Sequence, residues 1–263
     1  MEWDLLIDPL FRLPFFTGLV FAAVLPVLGL YLRMRDEWLA ALGFAHLGGA
    51  GGVIGSLLGV PPLMAALSVA GGGVAARGLV RRTGNDLYAV MILAGWATMI
   101  LGAQFSHHAR TLAQTLVDGQ LYFTTLEHLL TGLAFALVFA VLMPWLSPRL
   151  LRARLFPGHD RANGRSVVLL GLGFSIMVAV GVALASMAMG VMAAFALIFI
   201  PPWVAFALAP GWRAAVVLSA VVGVLAYVAA FAIALLADLP FGPAFVAIVV
   251  ALALLRLLVR RTA

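Results

Sequence analysis

From Ser166 to Leu208 the chain is apolar almost without a break. As a helix rising 1.5 Å per residue, such a run is about 60 Å long, twice the hydrocarbon thickness of a bilayer. One crossing does not use it up, and a soluble domain has no core deep enough to hide it. Two helices folded back on each other do. A break near Ser186–Gly190 gives spans Val167–Ala185 and Val191–Leu208, the second carrying Pro201-Pro202, a pair expected to kink or interrupt it.

The same reading applied along the chain gives seven more spans: Pro14–Leu32, Trp38–Leu58, Leu63–Val80, Leu87–Phe105, Leu126–Leu146, Ala214–Leu236 and Ala244–Leu258. The expected fold is therefore all-α, a single transmembrane helical bundle of about nine spans over residues 1–263. Gly59-Val60-Pro61-Pro62 and Asp238-Leu239-Pro240-Phe241-Gly242-Pro243 supply the sharpest turns. With the N-terminus outside, nine passes put every arginine except Arg12 and Arg110 in the cytoplasm, so the span count and the positive-inside bias agree. The net charge of +6 thus reports topology and not nucleic-acid binding. The acidic start, Met1-Glu2-Trp3-Asp4, lacks the basic region of a cleavable signal.

Composition removes several chemistries. With no cysteine there is no disulfide, thiolate metal site or thiol nucleophile. All 16 basic residues are arginine, and without lysine there is no phosphate-gripping P-loop. If ATP drives this protein, another subunit must hydrolyse it. No His-Glu-x-x-His motif or paired intramembrane carboxylates suggest an enzyme.

His46 stands out among the spans. It lies eight residues past Trp38, about 12 Å into the membrane, where an ionisable group is costly and usually functional. Gly43, Gly48, Gly49, Gly51 and Gly52 around it permit close helix approach. The ring either lines a pathway or packs against a neighbouring helix. On the outer side, His107, His108, Asp118, Glu127 and His128 combine imidazole with carboxylate, a set that suits zinc at an outer mouth. His107 and His108 are adjacent, however, and do not share a helix face. Met187, Met189 and Met192 offer soft thioethers, or ordinary packing.

Several segments in order resemble the zinc/manganese/iron permeases of ABC importers. These are Asp8-Pro9-Leu10-Phe11 through Arg33-Met34-Arg35, Ala45-His46 with Gly51, and Leu116-Val117-Asp118-Gly119-Gln120-Leu121 with Glu127-His128-Leu129-Leu130. They continue with Leu155-Phe156-Pro157, Ala162-Asn163-Gly164, Gly190-Val191 through Ile200-Pro201, and the Asp238–Pro243 turn. The resemblance implies a vitamin-B12/metal-importer-like permease in a bacterial inner membrane. It implies a homodimer, a separate ABC ATPase subunit that binds ATP, and a periplasmic or lipid-anchored solute-binding protein. It makes His46 a metal ligand of the translocation pathway, and Pro157, His159, Asp160, Arg161, Ala162 and Gly164, inside the expected loop Ser147–Arg165, the ATPase-coupling element. The family's aspartate four residues before the histidine is Leu42 here, and its proline after the histidine is Ala50. The imidazoles favour zinc over manganese or iron as cargo. The alternative is a stand-alone secondary transporter, against which no Asp or Glu lies deep within a span to couple protons or sodium, His46 being the only deep ionisable group.

Overall fold

The computed structural model describes residues 8–79, 85–119, 121–156, 158–164 and 166–259, the side chains of 161, 167 and 255–259 excepted. The expected Val80 end of the third span, and Arg81, Arg82, Gln120, Pro157, Arg165, Arg260 and Arg261, lie outside the described residues. The order is α1 Pro9–Met34, α2 Leu39–Leu58, α3 Pro62–Leu79, α4 Asn85–Gly102, α5 His107–Asp118 and a 3-10 turn at Leu121–Phe123. Then come α6 Leu126–Leu155, α7 His159–Ala162, α8 Val167–Met189, α9 Val191–Leu208, α10 Trp212–Leu236 and α11 Phe241–Val259. Among the described residues eight helices are long and apolar enough to cross a membrane, and the apolar stretch Phe241–Leu254 occupies the place of the ninth expected span.

Local chemistry sets the boundaries. Asp8 caps α1 by accepting the Leu10 N–H at 2.8 Å, and Pro9 follows where its missing N–H costs nothing. Gly59, at φ +70°, ends α2. Gly190, at φ +89°, separates α8 from α9 inside the expected interval.

At Pro201-Pro202 one of two expected outcomes falls away, and one expected loop is helix. Pro201-Pro202 does not interrupt α9, which continues to Leu208. Pro202 cannot donate to the carbonyl of Ile198, and α1 fills that position instead: Gly29 lies directly against Ile198 O and Pro202, where any side chain would collide with the carbonyl. The segment Ser147–Leu155, expected as loop, is the last part of α6 despite Pro144 and Pro148. Met143, Leu146 and Leu150 keep one face of it buried, and the Tyr31 hydroxyl bonds Ser147 at 2.6 Å. Burial on that face outweighs the proline signal.

α2 sits in the middle of its neighbours because its glycines leave no side chain in the way. Gly48 faces Ala183 of α8, Gly49 faces Met99 of α4, and Gly51 faces the Ala65–Ala66 backbone of α3. At one end of the bundle Arg35, Arg77, Arg152 and Arg154 gather with Asp36, Glu37 and Asp160. At the other, Gly119, Gly190 and Gly242 meet backbone to backbone, with the Gly242 N–H donating to Gly119 O at 3.2 Å. These four arginines thus share one end of the bundle, in keeping with the arginine bias.

Candidate functional site

His46 is the eighth residue of α2 and is 3% exposed. Its Nδ1 is 2.9 Å from the carbonyl of Leu42, one turn back. A carbonyl only accepts, so Nδ1 carries the proton, and in the neutral ring Nε2 keeps its lone pair. No described residue gives Nε2 a hydrogen bond. This is the arrangement of a metal-binding histidine, whose outer N–H is held by a carbonyl or carboxylate while the other nitrogen ligates. Gly95 of α4 fits against the His46 backbone, where a Cβ would come within 2.6 Å of the carbonyl. α2 and α4 therefore pack closely against each other at His46.

The five residues expected at the outer mouth are divided. His108, Glu127 and His128 line one cavity of about 280 Å³, together with Thr115, Thr124 and Met187. Asp118 lines a different one, of about 410 Å³, with Arg110, Gln104 and Gln114. His107, exposed at the start of α5, lines neither. Among the described residues no three His, Cys, Asp or Glu side chains stand close enough to hold one ion. His128 is engaged elsewhere, because its Nδ1 accepts the Thr125 N–H at 3.2 Å and closes a capping box at the start of α6. With Nδ1 accepting, the neutral ring carries its proton on Nε2, the reverse of His46. Of these two imidazoles, only His46 presents a ligand-ready nitrogen.

The outer cavity also carries an unpaired polar group and a contact with α2. Thr124 is 9% exposed, and its hydroxyl oxygen is buried with no hydrogen-bond partner. Met187, in the same lining, packs on Gly52, six residues or about 9 Å along α2 from His46. Nearby, the Tyr122 hydroxyl is also buried and unpaired; burial, helped by the charge of Asp238, pushes it up to about 12, so it stays protonated. Of the other two methionines, Met189 is buried and Met192 is about half exposed.

At the basic end, α7 is a single turn bracketed by Gly158 (φ +97°) and Gly164 (φ +65°). Asp160 is 4% exposed and pairs with Arg152 at 3.1 Å, which fastens one side of α7 to α6. His159, Ala162 and Gly164 remain exposed; Arg161 belongs to α7, but its side chain lies outside the described set. Arg154 reaches Asp36 at 2.8 Å and ties the end of α6 to the α1–α2 turn. The short segment is therefore presented outward on a braced support.

Sequence reasoning missed a buried ionic cluster beside it. The Glu37 carboxylate receives Arg77 at 2.6 Å and Arg35 at 3.1 Å, and Arg77 Nε donates to the Tyr88 hydroxyl at 2.8 Å. Arg35 and Arg77 read in sequence as topology signals only. The available sign was an acidic residue placed directly before the apolar run that begins at Trp38.

The sequence matches the ABC 3 transport family over residues 8–260. No curated protein sequence matches the chain. Among solved structures, a chain of PsaBC from Streptococcus pneumoniae, determined in complex with Fab, superposes with a TM-score of 0.84 at 14% identity, covering 97% of this chain and 95% of that one. A transporter described as metal-chelate ABC type, in an inward-facing conformation, gives 0.77 at 16% identity, covering 93% of this chain and 84% of that one. The fold is that of these transporters, and the chain belongs to the ABC 3 transport family.

Proposed function

We propose that this permease imports a divalent metal ion, with zinc the first choice and manganese or iron behind it. The observation that carries the reading is His46 Nε2, a free imidazole nitrogen held ligand-ready inside a span. Family membership and the resemblance in fold to a metal-chelate type transporter support it. The chain is a multi-pass membrane subunit without enzymatic activity of its own, and ATP is hydrolysed by a separate subunit.

On this reading two copies form the pathway in a bacterial inner membrane. A periplasmic or lipid-anchored binding protein delivers the ion to the outer cavity lined by His108, Glu127 and His128. From there it passes to His46 once the helices around α2 part, and two such histidines, one per copy, compensate for Leu42 at the family's aspartate position. Reconstituted in vesicles with its ATPase and binding protein, the complex should accumulate zinc on ATP addition, ahead of manganese or iron. Vesicles that hydrolyse ATP but accumulate none of the three would overturn the metal assignment and leave the permease assignment standing.

The exposed side of α7, with His159 and Ala162 between Pro157 and Gly164, is the proposed contact with the ATPase. Because the chain has no cysteine, single cysteines report cleanly. His159→Cys and Ala162→Cys should each cross-link to a cysteine-bearing ATPase in membranes, and Leu225→Cys, on the exposed face of α10, should not. Equal yields at all three positions would remove the coupling role.

A further inference from the structure

Behind α7, between the end of α6 and the start of α8, lies a groove of about 880 Å³. One wall is apolar: Trp145 is 56% exposed and Leu169 is 70% exposed, with Leu170 beside them. This wall continues the outward row of α6, where Val138, Val141, Leu142 and Trp145 follow one another at helical spacing and are all exposed. A Cβ placed on Gly173 would meet nothing within 4 Å, so the groove stays open at the α8 side. The other end is basic. Arg149 lies 3.7 Å over the Trp145 ring and donates to the Trp145 carbonyl at 2.6 Å.

The cations nearby are not equivalent. Arg152 is matched by Asp160, and Arg154 by Asp36. Arg149 has no carboxylate partner among the described residues. Among the described residues the groove therefore holds one uncompensated guanidinium, pinned by an aromatic ring at the membrane boundary, above an apolar wall that faces the bilayer. A soluble anion has no use for that wall, and a neutral acyl chain has no use for the guanidinium. A molecule with an anionic phosphate joined to acyl chains matches both. We propose that the α6–α8 groove binds an anionic phospholipid of the cytoplasmic leaflet, its phosphate on Arg149 and an acyl chain along Trp145 and Leu169. Its place behind α7 makes the lipid a brace for the segment that the bundle presents outward.

The test uses the full chain, with its ATPase, in nanodiscs of phosphatidylcholine. Brominated phosphatidylglycerol or brominated phosphatidylcholine is titrated in, and quenching of Trp145 is taken as the difference between the wild type and Trp145→Phe. Phosphatidylglycerol should quench at about one fifth of the concentration phosphatidylcholine needs, the preference one arginine at a membrane surface supplies. Arg149→Gln should lose that preference while phosphatidylcholine still quenches, which shows the groove intact. Arg149→Lys should keep most of it, and Arg213→Gln, an exposed arginine at the start of α10, should leave it unchanged. Equal quenching by both lipids in the wild type, or an undiminished preference in Arg149→Gln, would overturn the proposal. So would displacement of the brominated lipid by soluble glycerol phosphate, which would make this a free-phosphate site. Trp145 unquenched by either lipid in the complex, yet quenched in the chain alone, would make the groove a protein interface and equally defeat it.

Discussion

Substituting His46 with asparagine should leave the complex assembled and hydrolysing ATP while metal uptake falls by about tenfold or more, the scale on which metal sites respond to the loss of a supporting or ligating group. The choice of asparagine follows from the geometry. Its side-chain amide N–H occupies nearly the place of Nδ1–H and donates to the Leu42 carbonyl, as the histidine does at 2.9 Å. It places nothing where Nε2 stands. A ring kept for packing loses only a small volume under Gly95, and transport survives. A ring kept for ligation loses the atom that binds the ion. Glutamine makes the complementary test, because its longer side chain reaches the Nε2 position with an oxygen and should restore part of the uptake. Wild-type rates in His46→Asn across a range of ion concentrations would make His46 structural.

The spans were legible because bilayer thickness and helical rise leave few ways to divide long apolar runs. The arginines then fixed the phase of that division, and the structure gathers Arg35, Arg77, Arg152 and Arg154 at one end accordingly. What stayed hidden depended on neighbours distant in sequence. Nothing near Pro202 says that Gly29 of α1 will cover the carbonyl this proline orphans and so let α9 continue. Nothing near Pro148 says that Tyr31 will meet Ser147 and carry α6 past its expected end. The site divides the same way. His46 was visible as a lone ring in a glycine-rich span, but its tautomer needed the Leu42 distance. The outer histidines looked alike in sequence. The structure separates them by giving His128 a capping bond and His108 a cavity wall.

The ionic cluster around Glu37 bears the other large expectation, on stability. One carboxylate serves two guanidinium groups, with side-chain exposures of 14% for Glu37, 17% for Arg35 and 9% for Arg77. Removing the acid leaves two partly buried cations facing each other, and breaking a buried pair from one side typically costs about 3–5 kcal/mol. The residual exposure places Glu37→Ala at the lower end, about 3 kcal/mol. Glu37→Gln keeps an oxygen acceptor and the shape but not the charge, and should cost less. Arg77→Met introduced into Glu37→Gln should cost much less than Arg77→Met alone, since the first change has already ended the pairing. Denaturant unfolding in detergent micelles, run as this double-mutant cycle, measures the coupling. Additive losses, or a Glu37→Ala cost within about 0.5 kcal/mol of zero as at an ordinary surface position, would show the cluster to be incidental. The expected coupling has a consequence for transport. Glu37 lies two residues before α2 and binds Arg77 of α3, which in turn holds Tyr88 of α4. The helices that enclose His46 are thus fastened to one another at their basic ends, and an opening that exposes the ring must occur towards the other end or break this cluster.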